Sequence, residues 1–132
     1  MKTFHPLLLF ALLMTQPALA QVADLNGAWT VDATACAAVF TDQDNRLAFK
    51  PDADLHAGGL IVQGKRVTGT FQKCTITSFR DDGTTMRVVA ACSDGVAVSN
   101  VPFDVKITGQ NKMTLSSKEP VPVEMLYSRC AM

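Results

Sequence analysis

Beyond residue 26 the chain repeats one pattern, a short run of alternating apolar and polar residues followed by a turn. Ala28–Val31 is the first run, with Trp29 and Val31 on one face. Residues 32–40 break the alternation. There Asp32 or Thr34 can cap a short helix that brings Cys36, Val39 and Phe40 to one side. Leu47–Lys50 is a brief strand stopped by Pro51, and Gly59–Gln63 and Arg66–Lys73 are strands joined at Gly64-Lys65. Val67, Gly69 and Phe71 alternate inward, while Cys74 and Ile76 continue on the opposite parity. A bulge near Gln72-Lys73 would reconcile them. Val101, Phe103, Val105 and Ile107 alternate cleanly, with Pro102 marking an exposed or edge position at the strand start. Lys112–Ser117 and Val123–Arg129 complete the series.

The stretch between the second and third cysteines is the most informative. Residues 74–92 hold two β-rich runs around Asp81-Asp82-Gly83, a strong turn signal. If Arg80 faces Thr85 across a four-residue loop, opposed residues sum to about 165 or 166. Cys74 then lies across from Cys92, Ile76 from Ala90, Ser78 from Val88 and Arg80 from Met86. A one-residue slip would defeat the match, since opposed Cβ atoms approach disulfide range only at non-hydrogen-bonded positions. Of the three connectivities that four cysteines allow, this register favours Cys74 with Cys92, which leaves Cys36 with Cys130. Joining the two ends of a meander favours closure. The expected fold is all-β: an antiparallel up-and-down meander of about eight strands closed into a small barrel, with one short helix after the first strand.

Residues 1–20 read differently. Lys2, the apolar run Leu7–Met14 and the small-x-small triplet Ala18-Leu19-Ala20 have the form of a cleaved signal peptide, leaving residues 21–132 as a single barrel domain. No second apolar run of that kind occurs, so no membrane anchor is expected after cleavage. An exported chain with four cysteines, none closer than eighteen positions to the next, is expected to form disulfides in a periplasmic or secreted setting rather than to bind metal. Without the leader, 11 Lys/Arg face 12 Asp/Glu and none cluster, so nucleic acid and anionic membranes are not expected partners.

The opening motif carries a resemblance. Gly27-x-Trp29 on the first strand and Arg129 on the last resemble the lipocalin-type arrangement, and residues 23–29 resemble the start of small bacterial metalloprotease-inhibitor barrels. The whole mature chain is similar to small disulfide-bonded periplasmic proteins of proteobacteria. The resemblance implies a barrel capped by Trp29 with Arg129 packed over its ring, a cation–π contact.

Candidate chemistry is sparse. Asp52, Asp54 and His56 would point the same way on an extended segment and could hold a divalent ion, although the segment also reads as solvated turn. Asp42–Asn45 has half of a calcium loop without its glycine or closing glutamate. The mature chain's one histidine has no nucleophile elbow to serve, and no phosphate loop follows a strand. No enzyme activity and no cofactor are expected. The bulky inward set Trp29, Phe71, Met86, Phe103, Met113, Met125 and Tyr127 could fill so small a barrel by itself, and whether a cavity remains is left open. The first expectation is therefore a monomeric, non-enzymatic binding protein that meets a protein partner, such as a hydrolase it inhibits, through loops or its arm. The segments are residues 21–26, 52–58 and 93–100, with Val96, Ala97 and Val98 exposed. The alternative is a lipocalin-like carrier of a small hydrophobic ligand inside the barrel.

Overall fold

A computed structural model of the chain describes residues 25–118 and 121–132. The expected leader and residues 21–24 of the arm lie outside them. Among the described residues ten strands form: β1 (Gly27–Thr30), β2 (Phe40–Gln43), β3 (Arg46–Phe49), β4 (Leu60–Gln63), β5 (Arg66–Gly69), β6 (Lys73–Asp81), β7 (Met86–Ser93), β8 (Val98–Gly109), β9 (Lys112–Ser117) and β10 (Val123–Arg129). Eight of them close an antiparallel barrel in the order β1-β10-β9-β8-β7-β6-β5-β4, and β2 and β3 pair only with each other. The meander is up-and-down, but the chain leaves the barrel between β1 and β4. That excursion holds a helical stretch over residues 33–39 and the β2–β3 hairpin, and it ends in a 3-10 turn, Ala53–His56.

Local chemistry sets these elements. Asp32 caps the helical stretch by accepting from the Thr34 backbone N–H at 2.9 Å, and its charged form is favoured by the Thr34 hydroxyl and by that backbone bond. Asp44 and Asn45 take φ of 55° and 59°, the geometry of a two-residue type I′ hairpin turn. The turn joins the short polar strand Phe40–Gln43 to a strand that alternation placed in the barrel, 47–50. The sequence pattern missed β2 because three of its four residues are polar.

Two register expectations are corrected. Residues 66–73 do not form one bulged strand: β5 ends at Gly69, and Gly69 N–H donates to Gln72 O at 2.7 Å across a tight turn into β6. The parity change is made by this turn, which throws Phe71 outward to 76% exposure. The bulge falls instead between Ile76 and Ser78. On the cysteine side of it Cys74 opposes Cys92 and Ile76 opposes Ala90. On the tip side Phe79, not Ser78, opposes Val88, and Asp81, not Arg80, opposes Met86. Thr77 is the extra residue, and its hydroxyl donates to Val89 O at 3.2 Å. Pro102 is exposed but stands inside β8 rather than at its start, beyond the stretch where β8 pairs with β9. Its missing N–H therefore breaks no ladder bond on that side.

Two apolar clusters result. Trp29, Val62, Met86, Val88, Val105, Met113, Tyr127 and Leu25 form the cluster inside the barrel. Outside it, Val39, Phe40, Ala53 and Cys130 cover Ala28 and Ile61, so β1 and β4 are buried on both faces. The structure joins Cys36 to Cys130 and Cys74 to Cys92. The second pair has a Cα–Cα distance of 4.0 Å, the narrow spacing of a non-hydrogen-bonded cross-strand pair. Two disulfides mark the chain as one that folds in an oxidising, non-cytoplasmic compartment. Among the described residues no helix is long and apolar enough to cross a membrane.

Candidate functional site

The two ends of the barrel differ. At one end, the Trp29 indole N–H donates to Leu25 O at 2.8 Å, and the Arg129 guanidinium carbon lies 4.5 Å from the centre of the Trp29 ring. Arg129 Nη1 donates to Asn26 O at 3.0 Å, and Asn26 Oδ1 accepts from Gly64 N–H at 2.8 Å. Trp29 is 1% exposed, so this end is plugged by aromatic, cation and folded-over chain. The turns here, Gly64-Lys65, residues 82–85 and Gln110-Asn111, are polar.

Above the plug the barrel is not filled. A cavity of about 230 Å³ lies between the strands. Leu25 and Met113 line it below, and Val62, Val67, Ile76, Val88, Ala90, Val105 and Leu115 line its wall with Cys74 of the second disulfide. The bulky set that could have filled the barrel does not all point inward. Two members of the expected filling set are elsewhere: Phe71 points to solvent, and Met125 is 38% exposed. The small residues Ala90 and Gly69 line the space that remains. Trp29 itself does not line the space; it supports the layer beneath.

At the opposite end the cavity meets a shallow bowl lined by Asp54, Ala57, Gly58, Thr70, Phe71 and Asp94, among others. Leu60, Gly69, Gln72 and Tyr127 line both spaces and so form the neck between them. Burial holds the Tyr127 hydroxyl above the usual tyrosine pKa. In the adjoining turn the Asp94 carboxylate accepts from the N–H groups of Ala97 and Val96 at 3.0 and 2.9 Å, which lowers its pKa. Large apolar side chains stand on the loops and strand start at this end: Leu55, Phe71, Val96 and Val98 are all more than two-thirds exposed. No protein-family model, curated protein or solved structure matches this chain.

The acidic candidates separate. Residues 53–56 form a 3-10 turn instead of an extended segment, which brings Asp52 Oδ2 to 3.7 Å from His56 Nε2. Asp54 instead lines the bowl. Among the described residues no group of three or more His, Cys, Asp or Glu side chains could hold a metal. Asp42 and Asp44 belong to the β2–β3 hairpin and its turn. Sequence reasoning missed Gln72 as a site residue, and it placed Ala90 opposite Ile76 without marking it as part of a cavity wall. A glutamine between strands and an alanine within one carry no signal until the barrel's stagger places them.

Proposed function

We propose that this is an exported protein, periplasmic or secreted after loss of its leader, that holds a small hydrophobic ligand inside the barrel in a lipocalin-like manner without chemically changing it. The single observation that supports this reading is the apolar cavity of about 230 Å³ that opens through the neck into a bowl at one end of the barrel. A void of that size would be a standing loss of dispersion and hydrophobic stabilisation if nothing ever occupied it. An engineered apolar cavity of about 150 Å³ takes benzene, so by proportion this one suits a ligand part of about nine or ten heavy atoms. The test is mass spectrometry of the mature protein recovered gently from its own host. A small non-covalent adduct, present in native spectra and lost on denaturation, is the expected result. A ligand-free spectrum, together with no binding of small aromatic or alkyl compounds added afterwards, would refute the carrier reading.

A second reading has its own support. Leu55, Phe71 and Val96 stand exposed on loops, and Val98 at the start of β8, at one end of a crosslinked scaffold. That is the arrangement of a protein that presents loops to a partner, such as a hydrolase it inhibits. A protein co-migrating in the same native spectra favours this reading, and the loop variants Val96→Ser and Leu55→Ser would then release it.

A further inference from the structure

The neck differs chemically from the cavity beneath it, and any selectivity it confers rests on the carrier reading. Of the fifteen residues that line the cavity, only Gln72 and Tyr127 have polar side chains, and both belong to the neck. Below them the wall is hydrocarbon and sulfur. The Tyr127 hydroxyl has one hydrogen bond among the described residues, to Met125 Sδ at 3.8 Å, and a thioether is a weak acceptor. The Gln72 carboxamide has no partner among the described residues, and its backbone is fixed at the neck because Gln72 O accepts from Gly69 N–H. A phenol and a primary amide, each with unspent hydrogen-bonding capacity, therefore stand where the apolar cavity meets the bowl.

Charge narrows the choice. Among the described residues the bowl outside the neck is lined by Asp54 and Asp94 and by no Lys or Arg. A carboxylate or phosphate head would sit beside these acids with no cation to neutralise it, and would have to be desolvated in part. We propose that Tyr127 and Gln72 form a polar clamp that selects a neutral amphiphile: a hydroxyl or carbonyl head held in the neck, with a hydrocarbon tail or ring in the cavity below. Both clamp residues can donate and accept, so alcohols, ketones and esters all fit and fatty-acid anions do not.

The experiment titrates the full mature protein, disulfides intact, with 2-phenylethanol, ethylbenzene and phenylacetate at pH 8 by calorimetry, then repeats it with Tyr127→Phe and Gln72→Leu. The three probes share one ring and differ in head group. The alcohol is expected to bind at least about tenfold more tightly than the carboxylate, and each substitution is expected to weaken the alcohol about fivefold, one net hydrogen bond. Ethylbenzene should stay within about twofold across all three proteins. If the alcohol and ethylbenzene respond alike to the substitutions, or phenylacetate matches the alcohol, the clamp is wrong while the carrier reading stands. If no probe binds the unaltered protein, the carrier reading falls and the clamp with it. Should Tyr127→Phe fail to fold, Gln72→Leu, at an exposed position, carries the comparison alone.

Discussion

Filling the cavity should make the protein more stable and less able to bind. Ala90 is 3% exposed, lines the cavity, and lies opposite Ile76 on β6 and Val101 on β8. Ala90→Ile adds three carbons to this wall and suits a strand. At ~0.8 kcal/mol per buried methylene, less ~0.5–1 kcal/mol of side-chain entropy, the gain is about 1.5–2 kcal/mol. The cavity gives an independent figure. Three carbons take up about a third of 230 Å³, and at ~24 cal/mol per Å³ that third is worth about 1.8 kcal/mol. For a domain of this size the melting temperature should rise by about 6–8 °C, measured by calorimetry on the ligand-free, disulfide-intact protein. Affinity for a ring-sized ligand should fall at least about tenfold in the same samples, because ligand and isoleucine compete for one volume. A lower melting temperature would mean that the site is already full and the new side chain overpacks it, which would refute the cavity. A stabilised variant that still binds unchanged would show that the ligand sits elsewhere.

Other substitutions probe the frame. A Cβ on Gly59 would overlap the Trp29 carbonyl oxygen and lie 2.7 Å from Phe40 Cζ, so Gly59→Ala should lower stability by at least about 1–3 kcal/mol in urea unfolding. Replacing both Cys36 and Cys130 by Ser reopens a loop of 95 residues, worth about 4.7 kcal/mol on chain-entropy grounds, against about 3.2 for the 19-residue loop of Cys74 and Cys92. The first pair should therefore be the more damaging loss, and the reverse order in matched urea titrations would contradict that account. Burial raises the pKa of Tyr127, the chain's one tyrosine. Its stabilising contribution is complete below the unfolded value of about 10 and is lost as pH rises through the folded value. The unfolding midpoint should fall above pH ~10, and Tyr127→Phe should lack that step while keeping its neutral-pH stability. Asp104 runs the opposite way: held below the usual range by Arg87 at 3.0 Å, it contributes above pH ~4 and stops contributing as pH falls through its folded value. Asp104→Asn should flatten that acid limb.

How much the residues reveal unaided depends on how local the cause is. The alternation over 101–107 and the 74–92 hairpin are readable because period-two burial and a turn signal act within a few residues. Cys74 falls opposite Cys92 on either reading of the tip, because the bulge at Thr77 lies between the disulfide and the turn. The pairing at the tip is not readable, since any of several β-formers could have been the extra residue. β2 stays hidden because its burial is set by Val39 and Phe40 packing on the outside of β1 and β4, a tertiary effect. Trp29 and Arg129 can be placed together from the two ends of the chain once a barrel is assumed. The cavity cannot. It depends on Phe71 turning out at the Gly69–Gln72 corner and on Ala90 meeting open space, and neither can be had from parity.

The bond between Cys36 and Cys130 also divides the barrel unequally. Seven of its eight strands lie within the covalent loop, whereas β1 precedes Cys36 and lies outside it. Three register pairs with β4, two with β10 and the packing of Trp29 hold β1 in place. The molecule is thus a hoop of seven staves shut by an eighth that is tied covalently at one end only, through residues 31–35 to Cys36. A pull on the N-terminus would unlatch it along the β1–β10 seam, spilling whatever the barrel holds while leaving both crosslinks intact.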